Sequence, residues 1–170
     1  FSNDNTAAIS ATLDADKRSG TGVNSSTKGY ILGGYTGAYI DVIEQLTFAG
    51  ETSAAIAATL DTAKGNGTGV NSSTYGYILG GVPSLYTAVI EQIKFSDETS
   101  AAIAATLDTA KGMGAGVNSS TKGYVLGGLI LGSWTVVIEQ LTFSDDSSAA
   151  ISATLATAQS GGSGVQSGSV

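Results

Sequence analysis

A chain of 170 residues has room for one or two ordinary domains. Its 42% hydrophobic residues suit a packed core, but only 12% are charged, so Ser, Thr, Asn and Gly must cover the surface. The formal net charge of −7 disfavours nucleic acid and anionic membrane surfaces as partners, because phosphate binding needs a cationic footprint.

The sequence has no cysteine and no histidine. That removes disulfides and thiolate nucleophiles, together with the commonest general base and the commonest transition-metal ligand. No apolar run approaches the roughly 18 residues of a membrane span. No signal peptide is found, and the chain opens at Phe1 rather than Met, so an earlier segment is expected to have been removed.

One unit of about 47 residues repeats along the chain. Its first anchor is Ala7-Ala8-Ile9-Ser10-Ala11-Thr12-Leu13, which returns at Ala54, Ala101 and Ala149. The copy from Thr52 to Gly65 starts with Thr and Ser, is rich in Ala and ends at Gly, which local propensity reads as a helix. Alternation of Ile56, Ala58 and Leu60 with Ala57 and Thr59 reads instead as a strand. The second anchor is Gly22-Val23-Asn24-Ser25-Ser26-Thr27, returning at Gly69 and Gly116, with a worn copy at Gly164-Val165-Gln166-Ser167. It is predicted to be a small-residue strand entering a turn. Its Asn and Ser match a glycosylation sequon but suit side-chain-to-backbone turns better.

The third anchor, Gly29-Tyr30-Ile31-Leu32-Gly33-Gly34, is a short apolar strand stopped by two glycines, and it returns at Gly76 and Gly123. A variable segment follows: Tyr35 to Tyr39, Val82 to Tyr86, and Leu129 to Trp134, the last with one extra residue. The fourth anchor, Val42-Ile43-Glu44-Gln45-Leu46-Thr47-Phe48, alternates in β fashion and returns at Val89 and Val137. The repeats divide residues 1–170, a single array, into units of about 2–48, 49–95 and 96–143, with a partial unit at 144–170.

The order Gly-Tyr-x-x-Gly-Gly, variable loop, Ile-Glu-x-x-x-Phe, small-residue strand ending in Lys or Arg, then Gly-Val-Asn-Ser-Ser-Thr resembles kelch-like β-propeller repeats. It looks most like the near-identical kelch-like repeats of bacteria and bacteriophages. The resemblance covers nearly the whole chain and rests on the double glycines Gly33-Gly34, Gly80-Gly81 and Gly127-Gly128. It lacks the aromatic that usually follows the third strand in eukaryotic kelch repeats.

The resemblance implies an all-β kelch-like propeller with three complete four-stranded blades and a partial one, the Ala-rich anchor being each blade's outermost strand. Propellers close with about four to eight blades. The array is therefore expected either to close as a homo-oligomer or to belong to a longer propeller.

The candidate chemistry is sparse. Glu44, Glu91 and Glu139 recur once per unit, as a carboxylate ring for a cation or sugar, or as strand residues pairing with Lys or a backbone amide. A ring would hold them too far apart for the paired carboxylates of glycoside hydrolysis, which leaves a carboxylate-dependent hydrolase a remote reading. Asp14, Asp61 and Asp108 precede Lys17, Lys64 and Lys111 by three residues, the spacing of a surface ion pair in a turn. Asp97-Glu98 and Asp145-Asp146 read as acidic turn tips without a calcium loop, so neither metal nor cofactor is expected.

Tyr35, Tyr39, Tyr86 and Trp134 lie in or beside the variable loop, where aromatic faces suit a glycan or protein partner. The same side chains could instead fill spaces between blades. The expected function is thus non-enzymatic recognition or structure on a virion or cell surface, with a self-assembling scaffold as the alternative.

Overall fold

The structure is a computed structural model that describes residues 7–162 and 164. Phe1 and the Val165-Gln166-Ser167 part of the worn anchor lie outside the described residues. The protein is all-β, and every named element among the described residues is a strand.

The first sheet contains β1 (Thr21–Asn24), β2 (Lys28–Tyr35), β3 (Tyr39–Thr47) and β4 (Thr52–Thr59), in that order. The second contains β5 (Thr68–Asn71), β6 (Tyr75–Leu79), β7 (Val89–Lys94) and β8 (Ser100–Thr106). The third contains β9 (Ala115–Asn118), β10 (Lys122–Leu126), β13 (Val137–Thr142) and β14 (Ser147–Thr154). Its variable segment forms a separate small hairpin, β11 (Leu129–Ile130) and β12 (Ser133–Trp134). All pairings are antiparallel.

Each sheet begins at a Gly-Val-Asn anchor and ends at an Ala-rich one, so the sheets are out of phase with the sequence units. The Ala-rich copy left outside a sheet is therefore the N-terminal one, residues 7–13, whereas 147–154 completes the third sheet as β14. The helical alternative fails for Ala54, Ala101 and Ala149, which all lie in strands. The pairing of β3 with β4, Leu46 opposite Ser53 and Thr47 opposite Thr52, satisfies the Ala-rich backbone and overrides its local propensity.

The sheets pack face to face. Val23, Tyr30, Leu32, Ile43 and Leu60 of the first sheet bury against Ile78 and Ile93 of the second. Val70, Tyr77, Leu79, Ile90 and Leu107 repeat that pattern against Val125 and Leu141 of the third. The first strands of successive sheets lie side by side: Thr21 donates to the Gly67 carbonyl at 3.0 Å, and Thr68 to that of Gly114 at 3.1 Å.

Two glycine positions are dictated by this packing. Gly33, Gly80 and Gly127 have φ of +61°, +65° and +67°, and a Cβ there would collide with a carbonyl of the loop after the fourth strand. Gly69 and Gly116 face the backbone of the preceding first strand so closely that no Cβ fits, while Gly22 faces open space.

Gly69→Ala and Gly116→Ala should each destabilise by about 1–3 kcal/mol through overpacking. Gly22→Ala should stay within about 0.5 kcal/mol of the parent. Denaturant midpoints of the three variants check the contrast; equal losses would contradict the close strand approach.

Candidate functional site

The recurrent charges meet between sheets. In β3, β7 and β13 the pairing with the fourth strand shifts register just before the recurrent glutamate, and such a bulge re-aims a side chain. Glu44, Glu91 and Glu139 are buried as a result. Glu91 pairs with Lys64 at 2.6 Å and Glu139 with Lys111 at 2.6 Å, while Glu44 pairs with Lys17. Lys64 is 0% exposed and Glu91 0%, so this contact is dry.

The carboxylate's second oxygen accepts a backbone amide from the lysine's own loop: Asp14 N–H at 3.1 Å for Glu44, Asp61 N–H at 2.6 Å for Glu91 and Asp108 N–H at 2.7 Å for Glu139. The aspartates reach onward to the same sheet as their glutamates. Asp61 Oδ2 accepts from Ala102 N–H at 2.9 Å, and Asp108 Oδ2 from Ala150 N–H at 2.9 Å.

The expected surface pair between Asp and Lys three residues apart is therefore corrected. Lys64 and Lys111 are buried and bind the glutamate of the following sheet, and the aspartates cap backbone amides. With both glutamate oxygens taken, the carboxylates are partners of Lys and amides, the second of the two readings made from sequence.

A second contact recurs beside the clamp. Tyr30 stacks on Phe95 with ring centroids 5.5 Å apart, and Tyr77 on Phe143 at 5.5 Å. Tyr30 donates its hydroxyl to Glu98 at 3.1 Å, and Tyr77 donates to Asp146 at 2.9 Å. The acidic turn tips thus serve as acceptors for the preceding sheet. Desolvation, reinforced by Glu98, pushes the Tyr30 hydroxyl up to about 12. Desolvation and Asp146 push Tyr77 up as well.

Asp97 is exposed and held down to about 2 by Lys94 at 2.8 Å and by Thr99. Among the described residues, no group of three or more acidic side chains is placed to hold a metal ion. The Asn-Ser-Ser anchors form turns in which Ser25 accepts from Lys28 N–H at 3.0 Å and Ser72 from Tyr75 N–H at 3.0 Å.

The four loop aromatics fall into two groups. Tyr35 and Tyr39 meet edge to face at 5.2 Å, with the Arg18 guanidinium 4.8 Å above Tyr35. Tyr39 lies against Gly65, and Tyr86 lies against Gly112, both in the loop entering the next sheet. An open cleft runs beside Tyr35, lined by Asp16, Lys17, Arg18, Thr36 and Gly37.

Trp134 is different. It is 66% exposed on β12, at the base of a two-residue turn whose tip residue Leu131 is 78% exposed. Leu131 and Gly132 both have positive φ, at 43° and 87°, the pattern of a type I′ hairpin. A leucine there is strained by roughly 1–2 kcal/mol.

Sequence reasoning missed Arg18 and Leu131. Arg18 stands where the other copies have Gly65 and Gly112, and Leu131 marks the one-residue insertion; both departures from the repeat were available as signals. No protein-family model matches the chain, and no curated protein matches it.

Lys64→Met should cost about 3–5 kcal/mol by leaving Glu91 buried and unpaired. Lys64→Met with Glu91→Gln should recover most of the loss, since Gln still accepts the Asp61 amide; denaturant unfolding measures both.

Both buried tyrosines titrate higher folded than unfolded, where the ordinary value is about 10. Their contribution is complete below pH 10 and is lost as pH rises toward 12 and above. A stability profile across that window should fall, and Tyr30→Phe should flatten part of the fall.

Proposed function

We propose that the protein is a non-enzymatic recognition module, built as successive blades of a kelch-like propeller array and displayed on a virion or cell surface. The observation that carries this reading is the exposed apolar pair Trp134 and Leu131, held on a strained turn in the separate small hairpin between β10 and β13. Strain and exposure of large apolar groups both cost stability, so a surface that keeps them suits a partner. An aromatic face beside small polar residues matches the apolar face of a sugar ring or a protein side chain.

The sequence supports binding over turnover. It has no histidine or cysteine, and the recurrent glutamates have both oxygens engaged by lysine and backbone amide. That engagement argues against the hydrolase reading, which needs free carboxylates. Tyr35, Tyr39 and Tyr86 serve this reading as supports that fix the loops, with the Tyr35 cleft as a secondary contact.

A self-assembling scaffold without a ligand is the second reading. It is favoured by the recurrent lysine, glutamate and aspartate of each junction, which are spent on contacts between sheets.

The two readings separate on a glycan array and a panel of surface proteins. Recognition requires binding that Trp134→Ala weakens by about tenfold or more, a loss of at least 1.4 kcal/mol. Binding insensitive to Trp134→Ala, or a blank across both panels, would overturn the recognition reading in favour of the scaffold.

A further inference from the structure

Of the four Ala-rich segments, three are the outer strands of complete sheets, and the fourth, residues 7–13, has the same sequence pattern but no strand pairing. Its C-terminal continuation is nevertheless fixed. Asp14 N–H and Lys17 hold Glu44, and Asp14 Oδ2 accepts from Ala55 N–H at 3.2 Å, the full clamp seen at the two internal junctions. Residues 7–13 are therefore anchored at the spacing of a fourth strand, in front of the first sheet, with no sheet to belong to.

Between them lies a cavity of about 380 Å³ lined by Ile9, Leu13, Gly29, Ile31 and Leu46, among others. Ile31 and Leu46 correspond to Ile78 and Ile93, which are fully buried where a preceding sheet covers them. Leu13 is 40% exposed, against 3% and 2% for its counterparts Leu60 and Leu107.

The empty positions name what would fill them. Gly76 and Gly123 abut Val23 and Val70 of the preceding sheet, whereas Gly29 meets only its own sheet's Phe48. Phe48 is 47% exposed where its counterparts Phe95 and Phe143 carry a stacked tyrosine. Glu51 shares the left-handed turn position of Glu98 and Asp146, which accept that tyrosine's hydroxyl.

The first sheet thus offers seats for a Gly-Val-Asn valine and a Gly-Tyr-x-x-Gly-Gly tyrosine, and residues 7–13 offer an edge for a Val-Ile-Glu-Gln strand. We propose that this cleft is a β-addition site that accepts a three-stranded segment of this same repeat, of the type of residues 68–95, completing a further sheet with residues 7–13 as its outer strand.

An intact second copy fits less well. Its third sheet already has β14 as outer strand, and the segment after it would claim the place at Glu44 that residues 14–17 hold. That segment also carries Ala156 and Gln159 where the clamp uses Asp and Lys. The site is separate from the Trp134 surface and does not depend on what the loops bind.

The test is hydrogen exchange at the amides of residues 9–13, read in two arms. In one, a synthetic peptide of residues 68–95 is added to the full chain. In the other, residues 68–94 are joined directly ahead of Phe1, which stands at the position of Phe95 in the repeat. Exchange should slow by on the order of 100-fold in the joined form, as for strands paired within a sheet.

Ile9→Asp with Leu13→Asp should abolish the protection, while Leu131→Asp, a control in the β11–β12 hairpin and outside the cleft lining, should leave it intact. A joined form whose residues 9–13 exchange as fast as in the free chain overturns the proposal, as does protection indifferent to Ile9→Asp with Leu13→Asp. Protection already present in the free chain, at a light-scattering mass of two chains, would assign the cleft to a second copy instead.

Discussion

The buried lysine–glutamate contact between consecutive sheets is the constraint on which the rest of the architecture turns. Taking a lysine and a glutamate out of water is expensive, and their attraction repays that only with good geometry and further hydrogen bonds. At Glu91 the Lys64 ammonium lies 2.6 Å from one oxygen, the Asp61 amide donates to the other, and the Asp61 carboxylate is bound to the same sheet through Ala102. Replacing such a pair with apolar groups is often harmless, so its value here lies in specification. Only one register of one sheet against the next brings these groups together.

Other features follow from that requirement. The lysine loop must fold back over the end of its own sheet, and the Lys64 and Lys111 carbonyls receive N–H bonds from Gly34 and Gly81 at 2.9 Å. A side chain at Gly33 or Gly80 would block that loop, and one at Gly34 or Gly81 would press on the Arg18 or Gly65 carbonyl, which is why both positions of the pair are glycine; in the first sheet β2 runs on through the pair to Tyr35, whereas β6 and β10 stop before it. The bulge before the glutamate turns it toward the neighbouring sheet. The stacked Tyr–Phe contacts occupy the same junctions, and each adds about 0.5–1.5 kcal/mol beyond burial while fixing the acidic turn through the tyrosine hydroxyl.

Much of this was legible in the sequence, unevenly. The repeat, the Gly-Tyr-x-x-Gly-Gly strand and the Val-Ile-Glu-Gln strand could be read because alternation and glycine stops are local signals. The Ala-rich segments were ambiguous because alanine favours a helix alone, and only the neighbouring strand decides the matter. The destination of the lysines was misread for a related reason. Asp61 lies three residues from Lys64, whereas its true partner Glu91 is 27 residues on, across a sheet boundary. In a chain with so few charges, a cation and an anion recurring at fixed positions of every unit was a signal for a buried pair. The loop aromatics stand out in the sequence as residues of the variable segment, but their division into packed tyrosines and an exposed tryptophan depends on where Gly65 and Gly112 approach, which no single segment reveals.

The clamp also has a direction. In every pair the lysine precedes its glutamate along the chain, at Lys17 and Glu44, Lys64 and Glu91, Lys111 and Glu139. A ribosome therefore delivers the cation and its amide first, on a loop at the growing end, and the carboxylate afterwards with the sheet it belongs to. The loop after the fourth strand of one sheet thus carries the lysine and the amide that the next sheet's glutamate takes up.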